Sequence, residues 1–123
     1  MEDRLSLARV RVVLSHTSHP GNIGGAARAM KTMGLSDLRL VSPRHFPHDE
    51  AVARASGAED VLVYARVVGS LAQALEGCVL VGAVTAGRRE LSTEPRWARD
   101  AARELMAATR EGEVALVFGN ETS

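Results

Sequence analysis

The chain contains one lysine, one cysteine and few aromatic residues: a single Trp, a single Tyr and two Phe in 123 residues. Each scarcity excludes something. A lone Cys78 rules out an intramolecular disulfide and a cysteine-based zinc site. It sits in the apolar run CVLVGAV, which predicts a core position. No apolar run approaches the roughly 20 residues that span a bilayer. The start, MEDRLSLARVRVVLS, lacks a basic segment followed by a long apolar stretch and a cleavage site. The default expectation is therefore a cytoplasmic protein with no membrane contact. Net charge is absent too: 15 basic and 15 acidic residues cancel. No global basic field advertises a nucleic-acid binder, so an anionic partner has to be met by a local patch. Arginine supplies nearly all the positive charge, Lys31 being the one exception, and arginine suits two-pronged contact to phosphate.

What is present is the balance of an ordinary globular domain, 46% hydrophobic and 24% charged. The length predicts one domain, residues 1–123. Strand and helix patterns alternate along it. Val10–Ser15 reads as a buried strand and Asn22–Met33 as a helix, with Ile23, Ala26, Ala27, Met30 and Met33 at helical spacing and Gly34 placed to end it. Leu38–Val41 reads as a second strand and Asp49–Ala55 as a helix opened by acidic residues. Val61–Tyr64 reads as a third strand and Ser70–Leu75 as a helix capped by Ser70. Cys78–Val84 is the fourth strand, Arg96–Arg110 a helix and Val114–Phe118 the fifth strand. Such alternation predicts an α/β fold, a mostly parallel sheet with helices on both faces. Ligands of such sheets bind beyond the carboxyl ends of strands. Attention falls on the segments after strands one, four and five: residues 16–25, 85–95 and 119–123.

The segment His19-Pro20-Gly21-Asn22-Ile23-Gly24-Gly25-Ala26-Ala27-Arg28 is the most informative. A glycine-containing loop leads from a strand into a helix N-terminus, where free N–H groups favour an anion. Gly24 and Arg28 are four apart on one helix face, and helical side chains lean toward the N-terminus. Arg28 would therefore lie over a bare surface at Gly24, a notch suited to a phosphodiester. The plainer alternative is a solvated arginine on an amphipathic helix whose glycines permit close packing. The segment matches neither GxGxxG nor GxxxxGK[ST], which counts against a generic dinucleotide-binding or P-loop domain.

Asn22-x-Gly24-x-x-x-Arg28, continuing to Leu35, resembles motif 1 of the SpoU class of knotted RNA ribose methyltransferases. The string PGNIGGAARAMKTMGL is most similar to the TrmJ subgroup of tRNA methyltransferases, and Leu116-Val117-Phe118-Gly119-Asn120-Glu121 resembles the class's motif 2. The resemblance runs from about Ala8 to the last residue. It implies a trefoil-knot fold of the SPOUT type, a homodimer, and S-adenosyl-L-methionine as cofactor. It implies methyl transfer to a ribose 2′-hydroxyl of tRNA, in the anticodon loop. By matching positions, Val84, Thr85, Ala86 and Gly119 would contact the cofactor. Arg28 is the implied catalytic residue. A guanidinium stays protonated, so phosphate anchoring and positioning of the ribose suit it better than service as a base. Asn22 would hold the loop or touch substrate. Gly24 and Glu121 would belong to the substrate side. Where the subgroup shows a Thr-Ser-Ala-Arg-like stretch, this chain has Val84-Thr85-Ala86-Gly87, so Arg88 and Arg89 become the candidates for the missing cation. Motif 3, a Ser-Leu-Asn segment, does not follow motif 2 before Ser123. The expectation is a domain cut short at its C-terminus, with the knot-forming part missing and inactive by itself. The rival reading is a non-catalytic RNA-binding or assembly module of the same fold.

Other features point to weaker chemistry. His16/His19 and His45/His48 both have HxxH spacing, but both pairs lie in proline-containing loops with no third ligand indicated. Trp97 and Tyr64 read as packing residues rather than base-stacking platforms. The arginines at 96, 99, 103 and 110 alternate with Asp100, Glu104 and Glu111, as on a solvated helix face.

Overall fold

The computed structural model describes residues 7–17, 20–44, 46–47, 49–84 and 103–118. In chain order the elements are β1 (Val10–Ser15), α1 (Pro20–Met33), β2 (Asp37–Val41), α2 (Asp49–Arg54), α3 (Glu59–Val63), β3 (Arg66–Val68), α4 (Leu71–Ala74), β4 (Cys78–Val84), α5 (residues 103–108) and β5 (Glu113–Phe118). The five strands form one sheet in the order β3-β2-β1-β5-β4, and every pairing is parallel. The expected α/β architecture holds.

Helices pack on both faces of the sheet, although Val79 and Val81 of β4 stay exposed. On the first, Val10, Val12, Leu14, Leu38, Leu40 and Val114 pack against Ile23, Ala27 and Met30 of α1 and against α2, α3 and α5. On the second, Val13, Val41, Ala115 and Val117 meet Ala74 of α4, with Val68, Leu75 and Cys78 beside them. The steps from β1 to β2 to β3 and from β4 to β5 run over the first face. The return from β3 to β4 runs over the second. Opposite directions over opposite faces keep one handedness throughout, as parallel crossovers require.

Helix α1 begins at Pro20, two residues earlier than predicted; proline lacks an N–H that a first turn could not use. Its buried stripe is Ile23, Ala27 and Met30, while Met33 is exposed. Gly34, at φ +84°, ends it: Leu35 N–H donates to Met30 O at 2.8 Å and Gly34 N–H to Lys31 O at 3.2 Å, a Schellman closure that needs a left-handed residue. At α4, Ser70 Oγ accepts from Gln73 N–H at 3.2 Å, so the predicted cap is present.

One strand is misplaced by sequence reasoning. Val61–Tyr64 is not a strand; Glu59–Val63 is helical and the third strand is Arg66–Val68. A strand would bury alternate residues. Here adjacent Val61 and Leu62 are buried with Ala58, while Val63 and Tyr64 are 73% and 76% exposed. Tertiary packing overrides the β propensity of the run. Tyr64 is thus no packing residue, and it lies before the amino end of β3.

Arg11 is the buried charge of the second face. Its Nη1 donates to Ala74 O and Glu76 O, both at 2.8 Å, and its Nη2 pairs with Glu113. It therefore ties β1 to the end of α4 and to the start of β5, and a cation there complements the exposed carbonyls of a helix end. Cys78 is half-buried in the same neighbourhood. Burial, reinforced by Glu113 and Asp37 and opposed by Arg11 and Arg39, raises its thiol above the ordinary range. The thiol stays protonated at neutral pH, where a thiolate is needed for reaction. A thiol-reactive dye is expected to label the folded chain at least about tenfold more slowly than the urea-unfolded chain. Equal rates would show that Cys78 is open.

Candidate functional site

Parallel pairing gathers distant segments at one edge. Leu14 is the register partner of Phe118, and Phe118 of Val84. The carboxyl ends of β1, β5 and β4 therefore lie side by side, with neighbouring strands about 4.8 Å apart. The three segments singled out from the sequence leave the sheet from adjacent positions. Val84 closes β4 there, and the 37% exposed Phe118 closes β5 beside it. Thr85, Ala86, Arg88, Arg89, Gly119 and Glu121 lie outside the described residues, as do Trp97, Arg96 and Arg99. Adjacent strand ends with an exposed apolar ring fit an adenosine pressed against main chain.

Helix α1 leaves the same edge. Asn22 stands in its first turn and is exposed; Arg28 is exposed two turns further along. The Arg28 side chain makes no hydrogen bond or ion pair to any described residue. Lys31, also on α1, donates to Asp60 of α3 at 2.7 Å, and this bond holds the Asp60 carboxyl below the ordinary range.

The notch expected at Gly24 is not open. A Cβ there would lie 2.2 Å from Ala51 O and 2.8 Å from Arg54 Cβ of α2. Gly24 is a packing glycine, present because α2 crosses α1 at backbone contact, and its assignment to the substrate side gives way to that role. Gly21 is similar: Glu50 Oε2 lies 3.0 Å from where its Cβ would be. Glu50, 3.7 Å from Arg54, thus places the chain's own carboxylate at the first turn of α1. A negative group is favoured there, so the anion expected at this helix end is partly supplied from within. By contrast Gly25 faces open space.

Sequence reasoning also missed two strained positions. His16 and Ser42, directly after β1 and β2, have φ of +56° and +47°, a region that side-chain-bearing residues enter at a cost. His16 N–H donates to Val41 O at 2.8 Å, Ser42 N–H to Val68 O at 3.1 Å, and Arg44 N–H to Thr17 O at 3.1 Å. Ser15 Oγ and His16 Nδ1 are 2.9 Å apart. Hydropathy carries no signal for positive φ; the enrichment of His in that region is the one hint available.

No group of three or more His, Cys, Asp or Glu residues suited to a metal occurs among the described residues. His19, His45 and His48 lie outside them. No described helix is long and apolar enough to cross a membrane.

Comparison with known proteins identifies the pattern. The profile of the SpoU rRNA Methylase family matches residues 9–123. The chain is 57% identical over 118 residues to the tRNA (cytidine/uridine/adenosine-2′-O-)-methyltransferase TrmJ of Pseudomonas aeruginosa, covering 94% of this chain and 45% of that protein. It is 48% identical over 115 residues to the tRNA (cytidine/uridine-2′-O-)-methyltransferase TrmJ of Pectobacterium atrosepticum, covering 94% and 48%. The chain thus spans less than half the length of these curated relatives. Among solved structures, TrmJ from Z. mobilis superposes with a TM-score of 0.78 at 40% identity, over 91% of this chain and 50% of that one. A probable methyltransferase from Bordetella pertussis gives 0.80 at 42%, over 100% and 75%.

Proposed function

The chain belongs to the SpoU rRNA methylase family, and from that premise we propose that it serves a tRNA (ribose-2′-O)-methyltransferase dependent on S-adenosyl-L-methionine. Residues 1–123 belong to the methyltransferase domain of that enzyme, which works as a cytoplasmic homodimer on the anticodon loop. One observation carries the reading. The register Leu14–Phe118–Val84 brings the motif led by Asn22 and Arg28 to the same edge as the ends of β4 and β5.

The cofactor, when bound, supplies a sulfonium methyl group. Val84, Thr85, Ala86 and Gly119 are the residues that would hold it. Arg28, exposed and without a described partner, holds an RNA phosphate and so fixes the ribose for in-line approach. Positioning of this kind is a large part of what an enzyme can contribute to a two-reactant step. Asn22 braces the turn beside it. Arg88, Arg89 and Glu121 complete the substrate side. Transfer would break the sulfonium–methyl bond, leaving a thioether, as the ribose O–C bond forms; Arg28 stays a cation throughout and takes no proton, so the hydroxyl proton would pass to water.

The test is made in cells. Disruption of the gene is expected to remove a 2′-O-methylnucleoside from digested tRNA, and re-expression to restore it. An unchanged nucleoside profile overturns the reading.

A further inference from the structure

Residues 15–17 (SHT) and 42–44 (SPR) contribute His16, Arg44, three hydroxyl side chains and no acid. They follow β1 and β2, neighbouring parallel strands, so both leave the carboxyl edge. The structure joins them directly. Arg44 N–H donates to Thr17 O at 3.1 Å and His16 N–H to Val41 O at 2.8 Å. His16, Ser42 and Arg44 are all exposed. Two non-glycine residues are held here in left-handed backbone, one after each strand. The sheet core does not require this, since glycine would adopt the same angles at lower cost. The side chains of His16 and Ser42 are retained against that cost, and strain of this kind clusters at ligand-binding positions. Glu50, in the first turn of α2, is engaged beside Gly21 and Arg54.

We propose that these paired loops form a second contact for the RNA backbone, in which Arg44 and His16 hold a phosphate flanking the nucleotide to be methylated. The proposal rests on the tRNA reading above and adds a subsite on the β2 side of the edge, on the far side of β1 from β5 and β4. Arg44 supplies the fixed charge. Ser15 orients the His16 ring, and Thr17 and Ser42 line the junction.

The test is tRNA binding by the purified chain, followed by fluorescence anisotropy between 50 and 200 mM salt. Loss of one phosphate contact flattens the slope of log affinity against log salt by about 0.7–0.9. Arg44→Gln is expected to show that change and an affinity loss of about five- to tenfold at 100 mM salt. His16→Gly is expected to weaken binding a few-fold while leaving thermal stability unchanged or raised, because φ of +56° suits glycine. Arg66→Gln, at an exposed arginine on the amino end of β3, is the control and leaves the slope unchanged. If Arg44→Gln and His16→Gly bind like the parent, or Arg66→Gln flattens the slope equally, the subsite is overturned and the tRNA reading stands. If the parent shows no salt-dependent tRNA binding while gene disruption still removes the modification, the subsite alone is overturned. If both fail, the function reading falls with it.

Discussion

In a version as long as the curated relatives, Arg28→Ala is expected to lower methyl transfer to tRNA by about 10²–10³-fold, the usual loss when one preorganised donor is removed from a reacting site. Affinity for S-adenosyl-L-methionine, measured by calorimetry, should stay within a few-fold of the parent. The split follows from position. Arg28 lies on α1, exposed and without a described partner, whereas the residues assigned to the cofactor close β4 or follow β4 and β5. Its removal also breaks no described contact, so the folded fraction should not change. A parallel loss of cofactor affinity would move Arg28 to the cofactor side. Retained methylation would remove it from the site.

Gly24→Ala should be the most damaging small substitution in the described chain. The added carbon meets Ala51 O at 2.2 Å, a backbone atom that cannot rotate away. Separating α1 from α2 enough to admit it is expected to cost about 3 kcal/mol, the upper range for overpacking, and to lower the melting temperature by roughly 10–15 °C. The neighbouring Gly25→Ala points the other way. Nothing lies within 4 Å of its Cβ position, so exchanging glycine for alanine in mid-helix should stabilise by about 0.5–1 kcal/mol. Melting curves of the two variants make the comparison. Equal melting temperatures would mean that α2 slides freely over α1.

These two glycines also mark where sequence reasoning stops. Periodicity located β1, α1, β2, α4, β4 and β5 because their burial is set by their own side chains: Val13 and Leu40 are apolar and fully buried. The adjacency of the segments after β1, β4 and β5 could be anticipated from the general rule for parallel sheets. Which glycine is covered and which is open depends on where α2 lands, a non-local fact. Gly24 and Gly25 are identical letters with opposite surroundings. The Val61–Tyr64 run failed for a related reason. Its residues favour extended backbone, but the space beside α1 takes a turn of helix, and Lys31 meets Asp60 there. His16 and Ser42 were illegible because a positive φ leaves no trace in hydropathy.

The strand order carries a consequence for synthesis on the ribosome. β1, β2 and β3 are made in sequence and lie next to one another, so they can pair with α1, α2 and α3 as they emerge. β4 emerges next, yet among the described strands it pairs with β5 alone, more than two dozen residues further on. Until β5 appears, β4 has no described strand to pair with, and its Val79 and Val81 are 50% and 42% exposed even in the finished fold. β5 then has to enter between β1 and β4, joining Val10 to Val114 across 104 residues of chain. The ends of β4 and β5 are thus the last described part of the carboxyl edge to pair, whereas a nascent chain paused before β5 already holds α1 and the loops after β1 and β2.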